Sequence, residues 1–303
     1  MFKSVFIDNQ IHEMSAGTTV DTYTIINANK TKVPLPPIDV QERIVSHIEF
    51  LFAKLDTAKE KAEAALESFE IRKAAILHKA FTGELTAKWR EENGVSRESW
   101  ENVVVSDICY DVKVGIVIKP SQYYTDANSG TPAFRSANVR ENRVDNFDWV
   151  YLNDRGMKDN KRCIVHEGDV LVVRSGNPGT ACIVTKDFDG YNAIDILIAV
   201  PNTQKVTSHY LCYFTNSPLG KKSIAANKRG MALAHFNVKS YSSLTLHLPS
   251  IVEQKEITRI IDDILEKEQK IKDSAENVLE QIDLMKKAIL AKAFRGELKQ
   301  NID

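Results

Sequence analysis

KAAILHKAFTGEL, residues 73–85, returns as KKAILAKAFRGEL at residues 286–298 with three mismatches in thirteen positions. The copies stand 213 residues apart, and the same offset carries the match backwards without a gap. Leu35, Pro36, Ile38 and Gln41 of LPPIDVQ fall on Leu248, Pro249, Ile251 and Gln254 of LPSIVEQ. Further back, Ile11 falls on Ile224 and Gly17 on Gly230, sparse matches that carry the correspondence into the first thirty residues.

Apolar residues within each copy recur at alternating steps of three and four, which lines them up along one seam of a helix. The first seam reads Ile44, Ile48, Leu51, Leu55, Ala58, Ala62, Ala65 and Phe69. The second reads Ile257, Ile261, Ile264, Ile271, Ala275, Val278, Ile282, Met285 and Ile289, missing one beat at Glu268. Pro36, Pro37 and Pro249 stand where helices start, Gly83 and Gly296 where they end. Each copy is expected to form a rod of roughly forty residues, about 60 Å long at 1.5 Å per residue. Residues 86–247 leave and return at one end, so the rods are expected to pair antiparallel as a coiled coil. Ile44, Ile48, Leu51, Leu55, Phe69, Ile257, Ile261, Ile264, Ile282 and Ile289 form its expected interface, with Ile48, Leu51, Ile261 and Ile264 buried and Ile48 beside the Met285–Ile289 turn. Glu60, Glu63, Glu67 and Lys59 face outwards, towards a partner or water.

The intervening segment is rich in Gly, Asn, Ser, Tyr and β-branched residues. Short apolar runs, CIVHEGDVLVV (163–173), ACIVTKDF (181–188) and AIDILIAV (193–200), are bounded by turn residues and read as strands. HEGD marks a turn, and SGNPGT (175–180) a loop whose small residues let a partner approach the backbone. A helix is expected over about 207–227. The fold class is α+β: one globular domain over 97–247 plus two long helices.

A chain of 303 residues, 43% hydrophobic and 27% charged, holds one or two ordinary globular cores. No run of eighteen apolar residues occurs and MFKSVFIDNQ lacks a signal-peptide pattern, so a cytoplasmic location without membrane contact is expected. Cys109, Cys163, Cys182 and Cys212 lack the paired spacing of thiolate metal sites and read as buried thiols. No metal site is expected. The net charge of −1 conceals a slightly basic 97–247 segment between slightly acidic flanks.

Catalytic motifs are missing. PLGKKS (218–223) holds only the tail of a P-loop, there is no glycine-rich cofactor loop, and GxSxG and HExxH do not occur. Isolated histidines such as His166 and His235 read as loop or structural residues. Side chains suited to reading a duplex are present instead. FRSANVRENR (134–143) carries Arg135, Asn138, Arg140 and Arg143; VVRSGNPG adds Arg174, Ser175 and Asn177; KPSQYY and NKRG add Lys119, Gln122, Tyr123, Tyr124, Lys228 and Arg229. Arg pairs bidentately with guanine and Asn with adenine, while Lys and Ser hold phosphates. Each residue alone is an ordinary solvated loop residue; clustered in one domain, they point to nucleic acid.

LPPIDVQERIVSHIEFLFAKLD with KAAILHKAFTGEL, and LPSIVEQKEITRIIDDIL with KKAILAKAFRGEL, resemble the conserved helical regions of type I restriction-modification specificity subunits. ESWENVVVSDI, GTPAFRSANV, HEGDVLVVRSGNPGT and GMALAHFNVKSYSSLTLHLP are similar to the landmarks of that family's target recognition domains. The resemblance implies two recognition domains, each followed by a conserved helix, spaced by the helices over a split DNA target. Residues 1–35 then hold only the tail of a first recognition domain, 36–96 the central conserved helical region, 97–247 a complete recognition domain and 248–303 the distal conserved helical region. A half-size or truncated subunit is expected.

The implied function is non-catalytic recognition of double-stranded DNA, directing a methyltransferase subunit, and through it a restriction subunit, to a bipartite target. S-adenosylmethionine belongs to the methyltransferase, with no cofactor held by this chain. A second copy of the chain is a further candidate partner, which would bring inverted half-sites. The rival reading is a coiled-coil assembly adaptor that binds proteins only.

Overall fold

The computed structural model describes residues 5–15, 23–32, 35–228 and 236–298. In chain order the helices and strands are α1 (Val5–Met14), α2 (Ile25–Lys30), α3 (Ile38–Glu67), α4 (Phe69–Thr82), α5 (Ala87–Asn93), β1 (Glu101–Val104), β2 (Cys109–Val114), β3 (Tyr124–Thr125), β4 (Thr131–Phe134), β5 (Val139–Arg140), β6 (Arg143–Val144), β7 (Val150–Leu152), α6 (Asp154–Asp159), β8 (Val170–Val173), β9 (Ala181–Ile183), β10 (Asn192–Ala193), β11 (Ile196–Pro201), α7 (Ser208–Asn216), α8 (Pro218–Lys228), α9 (Val238–Ser242), β12 (Thr245–Leu248) and α10 (Ile251–Phe294). They divide into two compact units. One holds the residues up to Glu70 and those from Lys267 on; the other is Ile71–Glu266.

In the first unit α3 and the later part of α10 run antiparallel. The Lys272 ammonium lies 5.3 Å from the Phe69 ring centre, and Lys286 lies 5.2 Å from that of Phe52 while donating to Asp56 Oδ1 at 2.5 Å. Ala62, Phe69, Ala275, Ile282, Ala291 and Ala293 are buried. Ile44, Ile48, Leu51, Leu55 and Ile289 are half-buried, short of the full burial expected for Ile48 and Leu51, because a helix pair covers each helix on one side only.

The second seam is corrected in phase. Ile271, Val278 and Met285 are exposed, and the covered stripe runs through Ala275, Leu279, Ile282, Lys286 and Ile289. A step of four after Ala275 keeps that stripe in line at 3.6 residues per turn, and the aliphatic stem of Lys286 covers apolar surface beside Phe52. The first rod is also interrupted at Ser68, between α3 and α4. The Ser68 hydroxyl donates to Ala64 O at 2.8 Å, the back-bonding that bends helices.

The second unit is built on the antiparallel sheet β2-β11-β8-β9. Its central strands β8 and β11 are apolar on both faces, as strands covered on both sides must be, whereas the edge strand β2 carries Asp111 and Lys113. One face, with Val170, Val172, Ala181, Leu197 and Ala199, packs in a core with Tyr210, Leu211 and Phe214 of α7, Leu77 and Phe81 of α4, and Ile257 and Ile261 of α10. Ile257 and Ile261 are thus globular-core residues rather than coiled-coil residues, and Ile264 beside them is half-buried. The other face, with Leu171, Val173, Cys182, Ile196 and Ile198, packs on Phe134 and Val139, flanked by Trp149 and Phe188. A second sheet, β10-β4-β7-β3, and the pairs β1-β12 and β5-β6 complete the unit.

Three local expectations change. The helix over 207–227 is two helices, because Pro218 cannot donate into a continuing helix and instead begins α8. AIDILIAV is interrupted at Asp195, which takes a left-handed φ of 52°. Residues 163–165 form the end of a single 3-10 turn and a bridge from Ile164 to Asn192, not a strand. Gly83 and Gly296, with φ of 88° and 72°, close the two repeated AFxGEL segments as the sequence indicates.

Candidate nucleic-acid interface

Register fixes which loops meet. Val114 pairs with Leu197, and Ile196 with Val173, so the chain leaves β2, enters β11 and leaves β8 at one end of the central sheet. Ala181 pairs with Val172, so the 174–180 loop enters β9 there too. β4 points to the same place: Phe134 O accepts from Ile194 N at 2.8 Å, so Arg135 follows directly beside the segment that precedes β11.

This end gathers Arg135, Arg174, Ser175 and Asn177; the 115–123 segment that carries Lys119 and Gln122 leaves β2 here but enters β3 at the Leu152 end of the second sheet, away from Arg135. Arg174 Nη1 donates to Asp195 Oδ1 at 2.9 Å, and Arg135 Nη2 to Asp148 Oδ2 at 2.9 Å. Both aspartates sit in left-handed backbone, with φ of 52° and 54°. Each guanidinium is therefore held by a carboxylate that the backbone turns towards it, which fixes its plane and leaves further N–H groups. Asn177, Lys119 and Gln122 are exposed. Gly179 is required here, since a Cβ would stand 2.6 Å from Ile224 Cδ1 and its φ is 91°. Beside Arg174 a cleft of about 260 Å³ is lined by Val114, Leu197, Asn237, Val238 and Lys239. Lys239 is exposed, and sequence reading missed it; its signal was its place just after the N-cap Asn237.

Other expected readers are placed elsewhere. Asn138 is fully buried: Oδ1 accepts from Arg135 N at 2.9 Å and Nδ2 donates to Phe147 O at 2.8 Å, so its amide is spent on holding the loop. Tyr123 packs on the cluster of Ile116, Ala133 and Leu152 as a core residue, while Tyr124 lies on β3 with its ring partly exposed. Residues 139–144 are a tight hairpin turned onto the helices. Asn142 Oδ1 accepts from Asn216 Nδ2 at 2.8 Å, and Glu141 takes Lys73 at 2.5 Å and also Lys221. Burial raises the Glu141 pKa, but the hydrogen bonds and charges of Lys221 and Lys73 outweigh it and hold the carboxyl below the usual range. Arg140 pairs with Asp145 at 3.1 Å. Arg143 is exposed at the rim of a separate cleft of about 550 Å³ that also includes His209, Tyr213 and Asp262. The 134–143 stretch is therefore not one loop, since its turn spends Asn138, Glu141 and Asn142 inside the fold. Lys228 closes α8 with its side chain outside the described residues, and Arg229 and His235 lie outside them altogether.

Among the described residues no group of three His, Cys, Asp or Glu is placed to hold a metal, and no helix is long and apolar enough to cross a membrane. Fold and site together define an α+β domain set into a twice-used helical motif, with basic and amide side chains at one sheet end. The family model for the type I restriction modification DNA specificity domain matches residues 97–281, and the chain belongs to that family. It is 26% identical over 302 residues to the EcoKI specificity subunit of Escherichia coli K12, and 25% identical over 307 residues to the StySPI specificity subunit of Salmonella potsdam. Each alignment covers 98% of this chain and 64% of the relative, so the chain spans about two-thirds, or slightly less, of these curated proteins' length. Two solved structures share the fold. A chain from a study of assembly and conformational transition of the type I R-M system has a TM-score of 0.73 at 21% identity, covering 97% of this chain and 69% of that one. The HsdS subunit of Thermoanaerobacter tengcongensis has a TM-score of 0.63 at 20% identity, covering 98% and 68%.

Proposed function

We propose that this chain reads a DNA sequence and directs a separate methyltransferase subunit, and through it a restriction subunit, to a bipartite target, contributing no chemistry of its own. The observation that carries this reading is the pair of aspartate-held arginines, Arg135 and Arg174, at one sheet end with exposed Asn177 and Lys239. A pre-oriented guanidinium suits a bidentate contact to guanine, and the flanking lysine suits a phosphate. Residues 97–247 are the recognition domain and 36–96 and 248–303 the conserved helical regions. Residues 1–35 are the tail of a further recognition domain: α1 and α2 stand at the 213-residue offset from α8 and α9. Reading both halves of the target takes a second recognition domain.

Selection of bound duplexes from a random pool, with and without the methyltransferase subunit, tests the proposal. Enrichment of a defined motif supports it. Association with the methyltransferase and no enrichment favours the protein-only adaptor.

A further inference from the structure

The turn 145–148, DNFD, joins β6 to β7, and three of its four side chains are committed to the protein. Asp145 pairs with Arg140 at 3.1 Å, Asn146 Oδ1 accepts from Trp149 Nε1 at 2.8 Å, and Asp148 Oδ2 accepts from Arg135 Nη2 at 2.9 Å. Phe147 is the fourth, and it is 58% exposed. Its backbone is nonetheless fixed. The Phe147 N–H donates to Asp145 O at 2.9 Å, and its carbonyl accepts from Nδ2 of the fully buried Asn138 at 2.8 Å. A side chain on a pinned backbone gives up little chain freedom when a partner covers it.

An apolar cover within the fold lies close by. Trp149, two residues on, packs edge-on against Phe134 and Tyr191, with ring centroids 5.0 and 5.3 Å away. Asp148 stands between the two rings in left-handed backbone, and Trp149 joins the cluster while Phe147 stays outside it. The same Asp148 holds the Arg135 guanidinium twice, through Oδ2 and through its carbonyl at 2.6 Å. Single exposed apolar side chains are ordinary on a protein surface. This one is set next to the anchor of Arg135, in a turn whose two carboxylates are both paired with arginines, so that no unpaired anion of the turn faces a phosphate backbone.

We infer that Phe147 is a specificity-determining residue that reads a thymine, its ring packing on the C5-methyl group in the major groove at the base pair next to the guanine that Arg135 takes. Among the four ordinary bases only thymine presents a methyl group in that groove, and an apolar side chain is its complement. The Cα atoms of Phe147 and Asp148 are about 3.8 Å apart, as in any trans peptide, close to the step of about 3.4 Å between base pairs. A ring beside the holder of the guanidinium therefore meets the adjoining pair. The inference rests on reading 97–247 as a DNA recognition domain with Arg135 in the groove, and it adds a second base to what that end of the sheet reads.

The test is binding of the full chain, with its methyltransferase subunit, to the duplex motif that selection from a random pool enriches. Companion duplexes carry deoxyuridine in place of each thymine of the motif in turn, which removes only the methyl group. At one thymine, beside the base pair that Arg135→Ala relaxes, loss of the methyl is expected to weaken wild-type binding about fourfold, the worth of one buried methyl group at about 0.8 kcal/mol. Phe147→Ala is expected to bind the thymine and uracil duplexes equally. Phe147→Leu, which keeps an apolar side chain and guards against a misfolded alanine variant, is expected to retain part of the preference. A thymine preference that survives Phe147→Ala overturns the inference, and so does a motif in which no methyl group beside that base pair matters. Equal weakening of all sequences by Phe147→Ala overturns it as well, since the ring then only supports the turn. No enriched motif from the wild-type complex overturns the DNA-recognition reading itself and this inference with it.

Discussion

Glu253 is sealed from solvent and accepts a hydrogen bond from Arg90 Nη1 at 2.6 Å, across 163 residues of chain. Thr86 Oγ1 and Trp100 Nε1 complete its shell at 2.7 and 2.9 Å. The carboxylate thus ties α5 and the entry to β1 to the start of α10. Arg90→Ala leaves a buried carboxylate without its cation and is expected to cost about 3–5 kcal/mol in urea unfolding. A loss under about 1 kcal/mol would show that the pair is not structural.

Antiparallel pairing in the first unit is expected to give short spin-label distances between positions 52 and 286. Moving the second label to 272 adds an axial offset of about 20 Å, at 1.5 Å for each of fourteen residues, which with helix axes about 10 Å apart should lengthen the distance by roughly 13 Å. The reverse order contradicts the pairing. Ile282→Ala, which truncates a side chain 1% exposed in that interface, is expected to cost about 2–4 kcal/mol.

The repeat was legible because identity at a fixed offset needs no knowledge of packing, and the helix ends were legible from Pro37, Pro249, Gly83 and Gly296. The fate of each seam was not. Ile257 and Ile261 have the spacing of a coiled coil, yet they are buried with Tyr210 and Phe214, because periodicity tells which face is apolar and not what covers it. The break at Ser68 depends on where a hydroxyl turns. At the candidate site, Arg174 and Asn177 were picked from composition, and the structure places both in the loop between β8 and β9. Asn138 was misread because a buried asparagine tying a loop and an exposed one reading a base look alike in sequence. Asp195 and Asp148, which hold the arginines, owe their role to backbone conformation that sequence does not state.

Glu141 sets an acid-side dependence. Its pKa is lowered on folding, so the stability it adds is fully present above the ordinary carboxylate value and is lost as pH falls through the lowered one. Glu141→Gln is expected to cost about 1 kcal/mol near neutral pH, given partial exposure of the lysines. The cost should vanish in strong acid, as read by thermal melts across pH 7 to 3. A constant difference over that range contradicts the ion-pair assignment.

The four thiols should be inert in the folded chain. Burial pushes Cys182 up to about 12, burial and then the Asp111 charge push Cys109 up to about 12, and burial raises Cys163 and Cys212 as well. At pH 8 a thiol with a pKa near 12 is only about one part in ten thousand thiolate. Ellman's reagent is expected to leave the native protein unmodified over minutes and to titrate all four thiols in urea. Rapid modification of the native chain would show an opening of the core.

Duplex selection from a random pool by the chain with its methyltransferase subunit, repeated for Arg174→Ala and Lys119→Ala, addresses DNA reading at the sheet end. The wild-type chain is expected to enrich a defined motif. Arg174→Ala should lose about 1–3 kcal/mol on that motif and relax one base pair, whereas Lys119→Ala should weaken all sequences alike and reduce the salt slope by about one. A motif unchanged by Arg174→Ala, or no motif from the wild-type complex, would contradict sequence reading by these loops.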